Sequence, residues 1–333
     1  MIDSSTDAST DTPIHGPTDT APTDTAPTDT APTDTAPTDT APTDTAPTNA
    51  SSDASTNSSR FWAETCQFAH DISERVGLHL KADFGTVHPS EKSDGSWVTR
   101  CDRWADQALR DAIAARFPDH GLLTEETLHE FPPQDWCWIV DPLDGTTNFA
   151  LGIPMWGISL GLLYRGTPVF GCVHFPVLGQ TFHGFWAGNS GLTLPQGAFC
   201  NHQPIRVSTA ALSPNQLFSF CTRSITALQQ EPAVSLTLPL KVRMLGVSTY
   251  NLLSIASGMT LGGVEATPKV WDIAATWAIV HAAGAQWIPL QHQPFPLEVG
   301  RNYQALSYPT LVVARPDLAP QFLPFSVLLG SPA

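Results

Sequence analysis

The sequence predicts an α+β portion joined to an α/β portion, preceded by a long arm with no fold of its own. Three observations carry this reading. Residues 1–60 are almost entirely Thr, Asp, Ala, Pro and Ser. From residue 121 to about 186, short apolar stretches follow one another between Gly and Pro turns, as consecutive strands do. Beyond residue 215, strand-like and helix-like stretches alternate, the pattern of layered α/β structure.

The arm is the simplest part. Six copies of Thr-Asp-Thr-Ala-Pro fill residues 18–47, and no Phe, Trp or Tyr precedes Phe61. A five-residue period is too short for a solenoid unit, and the segment has too little apolar surface to offset the entropy of ordering its backbone. Disorder over residues 1–60 is therefore expected, extended by Pro and by repulsion among the Asp side chains. Those residues hold ten Asp against one Arg, so they account for −9 of the net charge of −15 and leave −6 on residues 61–333. A mildly acidic body excludes a broad nucleic-acid surface, which needs clustered Lys and Arg.

The 273 residues after the arm suffice for one large or two ordinary domains. There is no run of 18 apolar residues and no charged-then-apolar start, so neither a membrane span nor a signal peptide is expected. Cys66, Cys101, Cys137, Cys172, Cys200 and Cys221 are scattered without a Cys-x-x-Cys pair. They read as reduced, mostly buried thiols of a cytoplasmic protein, and their spacing gives no zinc site.

Within the body, Phe61, Trp62, Phe68, Ile72, Val76 and Leu80 recur at three- and four-residue steps, which predicts a helix over 60–81. A loop or hairpin follows over 87–98. Asp102 is expected to open a second helix, 102–117, ended by Pro118-Asp119-His120-Gly121. A strand over 121–124 delivers Glu125 and Glu126, and an apolar strand over 136–140 stops at Asp141-Pro142. Further strands are predicted at 157–164, 169–175 and 180–186. The second half gives strands at 215–221, 242–245, 262–266 and 310–314. It also gives helices over 247–257 and 272–283, the latter stopped by Gly284.

Glu125, Asp141, Asp144 and Asp272 each end a predicted strand or begin a helix, so distant residues can converge on one point. Such a carboxylate cluster needs cations, and hard oxygen donors suit Mg²⁺ or Mn²⁺. Gly145-Thr146-Thr147 then offers backbone N–H groups able to bind phosphate. Taken singly, Asp-x-x-Asp-Gly also fits an Asx-capped turn, Glu-Glu a solvated face, and Trp-Asp a helix cap. His174, His183, His202 and His281 lack a nucleophile motif and read as structural or surface residues.

In order along the chain, Lys92-Ser93-Asp94-Gly95-Ser96-Trp97-Val98-Thr99-Arg100-Cys101-Asp102, Thr124-Glu125-Glu126, Asp141-Pro142-Leu143-Asp144-Gly145-Thr146-Thr147-Asn148-Phe149 and Trp271-Asp272-Ile273-Ala274-Ala275 resemble the motifs of the inositol monophosphatase family of Mg²⁺-dependent, lithium-sensitive phosphatases. The resemblance spans about residues 61–315. It implies a layered α-β-α-β-α sandwich, with subdomains over 61–205 and 206–333 and the site between them. It also implies two or three Mg²⁺ ions on Glu125, Asp141, the Leu143 carbonyl, Asp144 and Asp272. Gly145 and Thr146 would hold phosphate, while Thr146 and Asp102, with Glu125, would handle the attacking water. Lys92 would lie on a mobile loop that closes the site, with Glu126 in support behind it.

For the alcohol half, the resemblance implies contacts from Gly246, Ser248, Glu265 and Asp272, although Glu265 equally fits a strand-end salt bridge. Cys221-Thr222-Arg223-Ser224 departs from the family pattern. The implied reaction is hydrolysis of a small phosphate monoester such as inositol 1-phosphate, by a homodimer with no nucleic-acid or membrane partner. Alternatives are a sister phosphatase of histidinol phosphate, fructose 1,6-bisphosphate or a 3′-phosphonucleotide, a non-catalytic interaction protein on the same fold, and a module whose working part is the arm.

Overall fold

A computed structural model describes residues 50–92, 95–224 and 240–323. Residues 1–49 of the expected arm lie outside it. Helix α1, Ala50–Leu80, begins ten residues before the predicted start. Its nucleus is the buried stripe of Trp62, Ala69, Ile72, Val76 and Leu80. Extending a nucleated helix costs little per residue, and no proline intervenes back to Pro47. The hairpin of β1 (Ser90–Glu91) and β2 (Trp97–Val98) follows.

Helix α2, Arg100–Arg116, begins before Asp102 because Thr99 is the cap. Thr99 Oγ1 accepts from the Cys101 N–H at 3.0 Å, and Asp102 Oδ2 accepts from the Thr99 N–H at 2.7 Å. This reciprocal capping places Asp102 in the first turn with its second oxygen free to point elsewhere.

Seven strands form one sheet in chain order. They are β3 (Gly121–Thr124), β4 (Trp136–Asp144), β5 (Gly157–Tyr164), β6 (Thr167–Phe175), β7 (Gln180–Phe185), β8 (Gly197–Cys200) and β9 (Gln203–Ile205). β3 and β4 are parallel, and the other neighbours are antiparallel. The expected stop at Asp141-Pro142 does not occur. β4 runs on to Asp144, with its register against β5 shifting between Asp141 and Asp144. Pairing with β3 has already ended at Val140, so Pro142 sits where no ladder requires its missing N–H. The six-residue helix α3, Thr146–Leu151, follows at once.

The second sheet has the order β11 (Lys241–Arg243), β10 (Leu217–Phe220), β12 (Gly262–Glu265), β14 (Thr310–Val313), β13 (Gln286–Pro289). Its first three strands are parallel. Helices α4 (Ser248–Ala256) and α5 (Val270–Ala282) lie between the two sheets.

Side-chain alternation builds the layers. Trp138 and Val140 of β4 face α1 and α2, whereas Cys137 and Ile139 join the core with α4, α5 and the second sheet. In that sheet Ser219 and Gly263 face α4. Phe218 points the other way and packs at a tilt against Phe322 of the helical turn at 319–323, 4.6 Å between centroids. The fold is the α-β-α-β-α sandwich. Among the described residues no helix is long and apolar enough to cross a membrane.

A glycine track sets how α5 lies on the first sheet. Gly161, Gly171 and Gly184 are paired across β5, β6 and β7. A Cβ on Gly171 would stand 2.0 Å from the Ala275 carbonyl oxygen, and one on Gly161 2.9 Å from the Ala275 nitrogen. Both clashes are with backbone, which no rotamer change relieves. The close approach fixes the N-terminal end of α5, where Asp272 lies. Gly171→Ala is expected to destabilise the protein by about 3 kcal/mol, the upper end of overpacking costs, as a lowered urea midpoint at unchanged m-value.

Candidate active site

Three of the predicted carboxylates converge. Asp141, Asp144 and Asp272 each present an oxygen such that all three lie within 4.8 Å of one another. Each is oriented by the local backbone. Asp141 Oδ1 accepts from the Leu143 N–H at 3.0 Å. Asp272, in the first turn of α5, accepts from the Lys269 N–H at 2.7 Å. Asp144 is held by the start of α4, accepting from Thr249 N–H at 2.8 Å, Thr249 Oγ1–H at 2.5 Å and Ser248 N–H at 3.4 Å. Ser159, opposite Asp141 on β5, donates to the Trp271 carbonyl at 3.4 Å and ties α5 to β4.

Burial and mutual repulsion dominate the electrostatics. Asp141 is 1% exposed. Desolvation, then the charges of Glu125, Asp144 and Asp272, push its carboxyl well above the usual range. Asp272 is raised well above its ordinary value by burial, then by Asp144 and Glu125. Asp144 is raised by burial against the four hydrogen bonds that favour its charge. Glu125, beyond the end of β3, is raised to about 7 by burial.

Lys92 faces this group from the hairpin, its Nζ 2.8 Å from Glu125 Oε1 and 2.6 Å from Glu126 Oε1. Burial opposes the ammonium, but the two carboxylates outweigh it and hold it charged. Ser93 and Asp94 lie outside the described residues.

Asp102 and Thr146 form a second unit. Thr146 Oγ1 lies 2.9 Å from Asp102 Oδ1 and 3.1 Å from the Leu143 carbonyl oxygen, so its one hydrogen is directed to acceptors on the protein side. Asp102 Oδ2 is saturated by the Thr99 N–H and hydroxyl, both at 2.7 Å. Desolvation raises the Asp102 carboxyl despite these donors.

Gly145 is the left-handed cap of α3, with φ 89°, and no side chain caps the first turn. A Cβ there would meet Val247 Cγ2 at 2.8 Å. Of the amides predicted to hold phosphate, that of Gly145 is already directed to the Asp144 carboxylate.

Glu125, Asp144, Gly145, Thr146 and Asp272 line a cavity of about 460 Å³, with Asp141 and Asp102 buried behind them. Gly246, Ser248, Glu265, Asn251 and Arg223 form its other wall. Glu265 is 4% exposed and accepts from Asn251 Nδ2 at 2.6 Å, not from a basic residue as a strand-end salt bridge would require. Its carboxyl is pushed up to about 8 by burial, against hydrogen bonds from Asn251 and Ser248. Among the described residues no group donates to the buried Asn251 Oδ1.

Thr249 and Asn251 lie outside the sequence motifs, and Asn148, inside one of them, takes a structural role that the motif does not specify. Asn148 Nδ2 donates to the carbonyls of Met155 and Leu245 at 2.8 and 2.9 Å, clamping the loop before α4 to α3. The signals available were the Ser248-Thr249 pair at a helix start and Asn251 one turn further on.

The donor set is oxygen only: three carboxylates, Glu125 alongside, and the Leu143 carbonyl with a spare lone pair. It fits a hard divalent cation, whose charge would offset the burial and the repulsion that raise Asp141 and Asp272.

The inositol monophosphatase family model matches residues 61–312. An inositol-1-monophosphatase of Synechocystis sp. is 34% identical over 234 residues, covering 68% of this chain and 79% of that protein. A histidinol-phosphatase of Chlorobaculum parvum is 29% identical over 222 residues, covering 66% and 83%. Among solved structures, an IMPase of Thermotoga maritima superposes with a TM-score of 0.63 at 27% identity, covering 80% of this chain and 96% of that one. The chain belongs to the inositol monophosphatase family of metal-dependent phosphatases.

Proposed function

We propose that this protein hydrolyses a small polyol phosphate, inositol 1-phosphate being the representative substrate, with Mg²⁺ held by Glu125, Asp141, the Leu143 carbonyl, Asp144 and Asp272. The observation that carries the proposal is the convergence of Asp141, Asp144 and Asp272 beside the uncapped first turn of α3. Mg²⁺ bound there supplies positive charge to the attacking and departing oxygens of a phosphoryl displacement.

The remaining roles follow from the protein groups. The Thr146 hydroxyl commits its hydrogen to Asp102 or to the Leu143 carbonyl, so its lone pairs face the cavity and can accept from a water. Asp102 fixes that polarity, because Thr99 saturates its other oxygen. Phosphate is bound by the α3 amides led by Thr146, with Gly145 providing the left-handed turn that exposes them. On the opposite wall Glu265 and Ser248 receive the alcohol, and the unpartnered Asn251 Oδ1 offers a further acceptor for a hydroxyl. Gly246, with φ 74°, brings that wall close, since a Cβ there would stand 3.0 Å from Asn148 Oδ1. The Arg223 guanidinium on that wall disfavours a cationic alcohol such as histidinol, whereas Glu265, Ser248 and Asn251 Oδ1 suit the hydroxyls of a polyol. Phosphate release from a panel of polyol, sugar, nucleotide and histidinol phosphates decides the substrate. Fastest turnover of the polyol phosphate, inhibited by Li⁺, is expected; preference for histidinol phosphate would overturn the choice of alcohol.

Asp141→Asn is expected to lower phosphate release by at least about 10²-fold. It should raise the melting temperature of Mg²⁺-free protein, because it removes one charge from a buried repulsive group. Unchanged turnover would remove Asp141 from the metal site. Thr146→Ala should lower kcat by about 10²-fold or more, while Thr146→Ser, which keeps the hydroxyl, retains most of it.

The Glu265 carboxyl, raised to about 8 from an ordinary 4.5, binds more proton in the folded than in the unfolded state between those values. Its contribution to stability therefore falls as pH rises through that window. In EDTA, Glu265→Gln should gain stability over the parent by about 1.4 kcal/mol per pH unit from about 4.5 to about 8, then level off, in urea titrations across pH.

A further inference from the structure

On the face of the seven-stranded sheet covered by α1, a second group of ligating side chains comes together. Cys66 and His70 are one helical turn apart on α1, so both side chains lie on the same face. His183 of β7 meets them, its Nδ1 3.0 Å from His70 Nε2. One ligand atom from each of the three lies within 4.8 Å of the others. His202 occupies the two-residue turn between β8 and β9. Positive φ at Asn201 and His202, 49° and 63°, is the backbone of a tight hairpin turn. That turn holds the His202 ring stacked on His70 at 5.0 Å and 5.9 Å from His183.

We propose that Cys66, His70 and His183 form a binding site for a Zn²⁺-class transition-metal ion, with His202 or water as the fourth donor, which pins α1 to β7. Sulfur and imidazole donors select such ions over Mg²⁺, the reverse of the carboxylate site. With Zn–N bonds of about 2.0–2.1 Å, tetrahedral geometry separates two ring nitrogens by about 3.3 Å, so the 3.0 Å pair has only a few tenths of an ångström to open. Burial keeps both imidazoles neutral, holding His183 at about 4 and lowering His70, so that their lone pairs are available at neutral pH. The Cys66 thiol, pushed up to about 11 by burial, would lose its proton to solvent as the sulfur–metal bond forms. Entry is open, because a cleft of about 310 Å³ reaches Cys66, His70 and His202. Phe199 stacks on His183 at 4.9 Å and fixes the plane of its ring.

The full-length protein, saturated with Mg²⁺, would be titrated with Co²⁺ and then with Zn²⁺. Expected is a thiolate-to-cobalt charge-transfer band with tetrahedral visible bands, reaching its end point at one equivalent and displaced by Zn²⁺. An oxygen-only site gives no such band. Cys66→Ser should abolish the band and His70→Gln should weaken Co²⁺ binding by at least about 10-fold, both with normal phosphate release. In the parent protein, Zn²⁺ should protect Cys66 from iodoacetamide, read by peptide mass spectrometry. This measurement decides the matter if either variant fails to fold. Absence of the band, its persistence unchanged in Cys66→Ser, or equal alkylation of Cys66 with and without Zn²⁺ would overturn the proposal.

Discussion

Repulsion among buried carboxylates is the constraint around which this molecule is organised. Asp141 and Asp144 come from the last part of β4, and Asp272 from a helix start almost 130 residues later. Left alone they would separate or protonate, and the upward displacement of Asp141 and Asp272, caused first by burial and then by the neighbouring carboxylates, expresses that tendency. What keeps them together is the stiffness of the elements that carry them. Asp141 is fixed by its own turn, Asp144 by the amides of α4, and Asp272 by the first turn of α5. Strain of this kind is worth keeping only where a cation repays it.

The surrounding fold supplies that stiffness. The glycine track of β5, β6 and β7 lets α5 sink onto the sheet, and this contact sets the height at which Asp272 meets Asp141. The shift of β4 against β5 turns Asp141 and Asp144 toward the same space, which a regular strand with a period of two would not do for residues three apart. Asn148 and Thr249 stitch α3 and β4 to α4, so the phosphate side and the alcohol side of the cavity share one rigid frame. On the second wall Glu265 and Asn251 are buried as a hydrogen-bonded pair, the groups proposed to receive the alcohol.

The two groups of side chains that could hold a cation offer opposite donor chemistry in one chain. The carboxylate site offers hard oxygen and accumulates charge. Cys66, His70 and His183 offer sulfur and nitrogen, and burial keeps them neutral. An ion suited to one group is poorly suited to the other.

Much of the convergence of carboxylates was legible in the sequence, because they sit in contiguous motifs whose local geometry is self-determined. Asp141 through Thr146 makes its own turn, Thr99 and Asp102 cap their own helix, and Trp271-Asp272 begins one. The long periodic helices and the apolar strands of the first sheet were likewise dictated by nearby residues. Tertiary structure alone decided the rest. The strands β8, β9 and β13 exist through their pairing with β7, β8 and β14, and the run of β4 past Pro142 depends on where its neighbours stop pairing. The roles of Thr249 and Asn251 depend on which carboxylate packs against α4. The meeting of Cys66 and His70 with His183 depends on which strand α1 covers, so scattered cysteines without a local pair gave no sign of it. Local hydrogen bonding and periodicity are written in neighbouring residues, whereas contacts between distant elements are fixed only when packing chooses their partners.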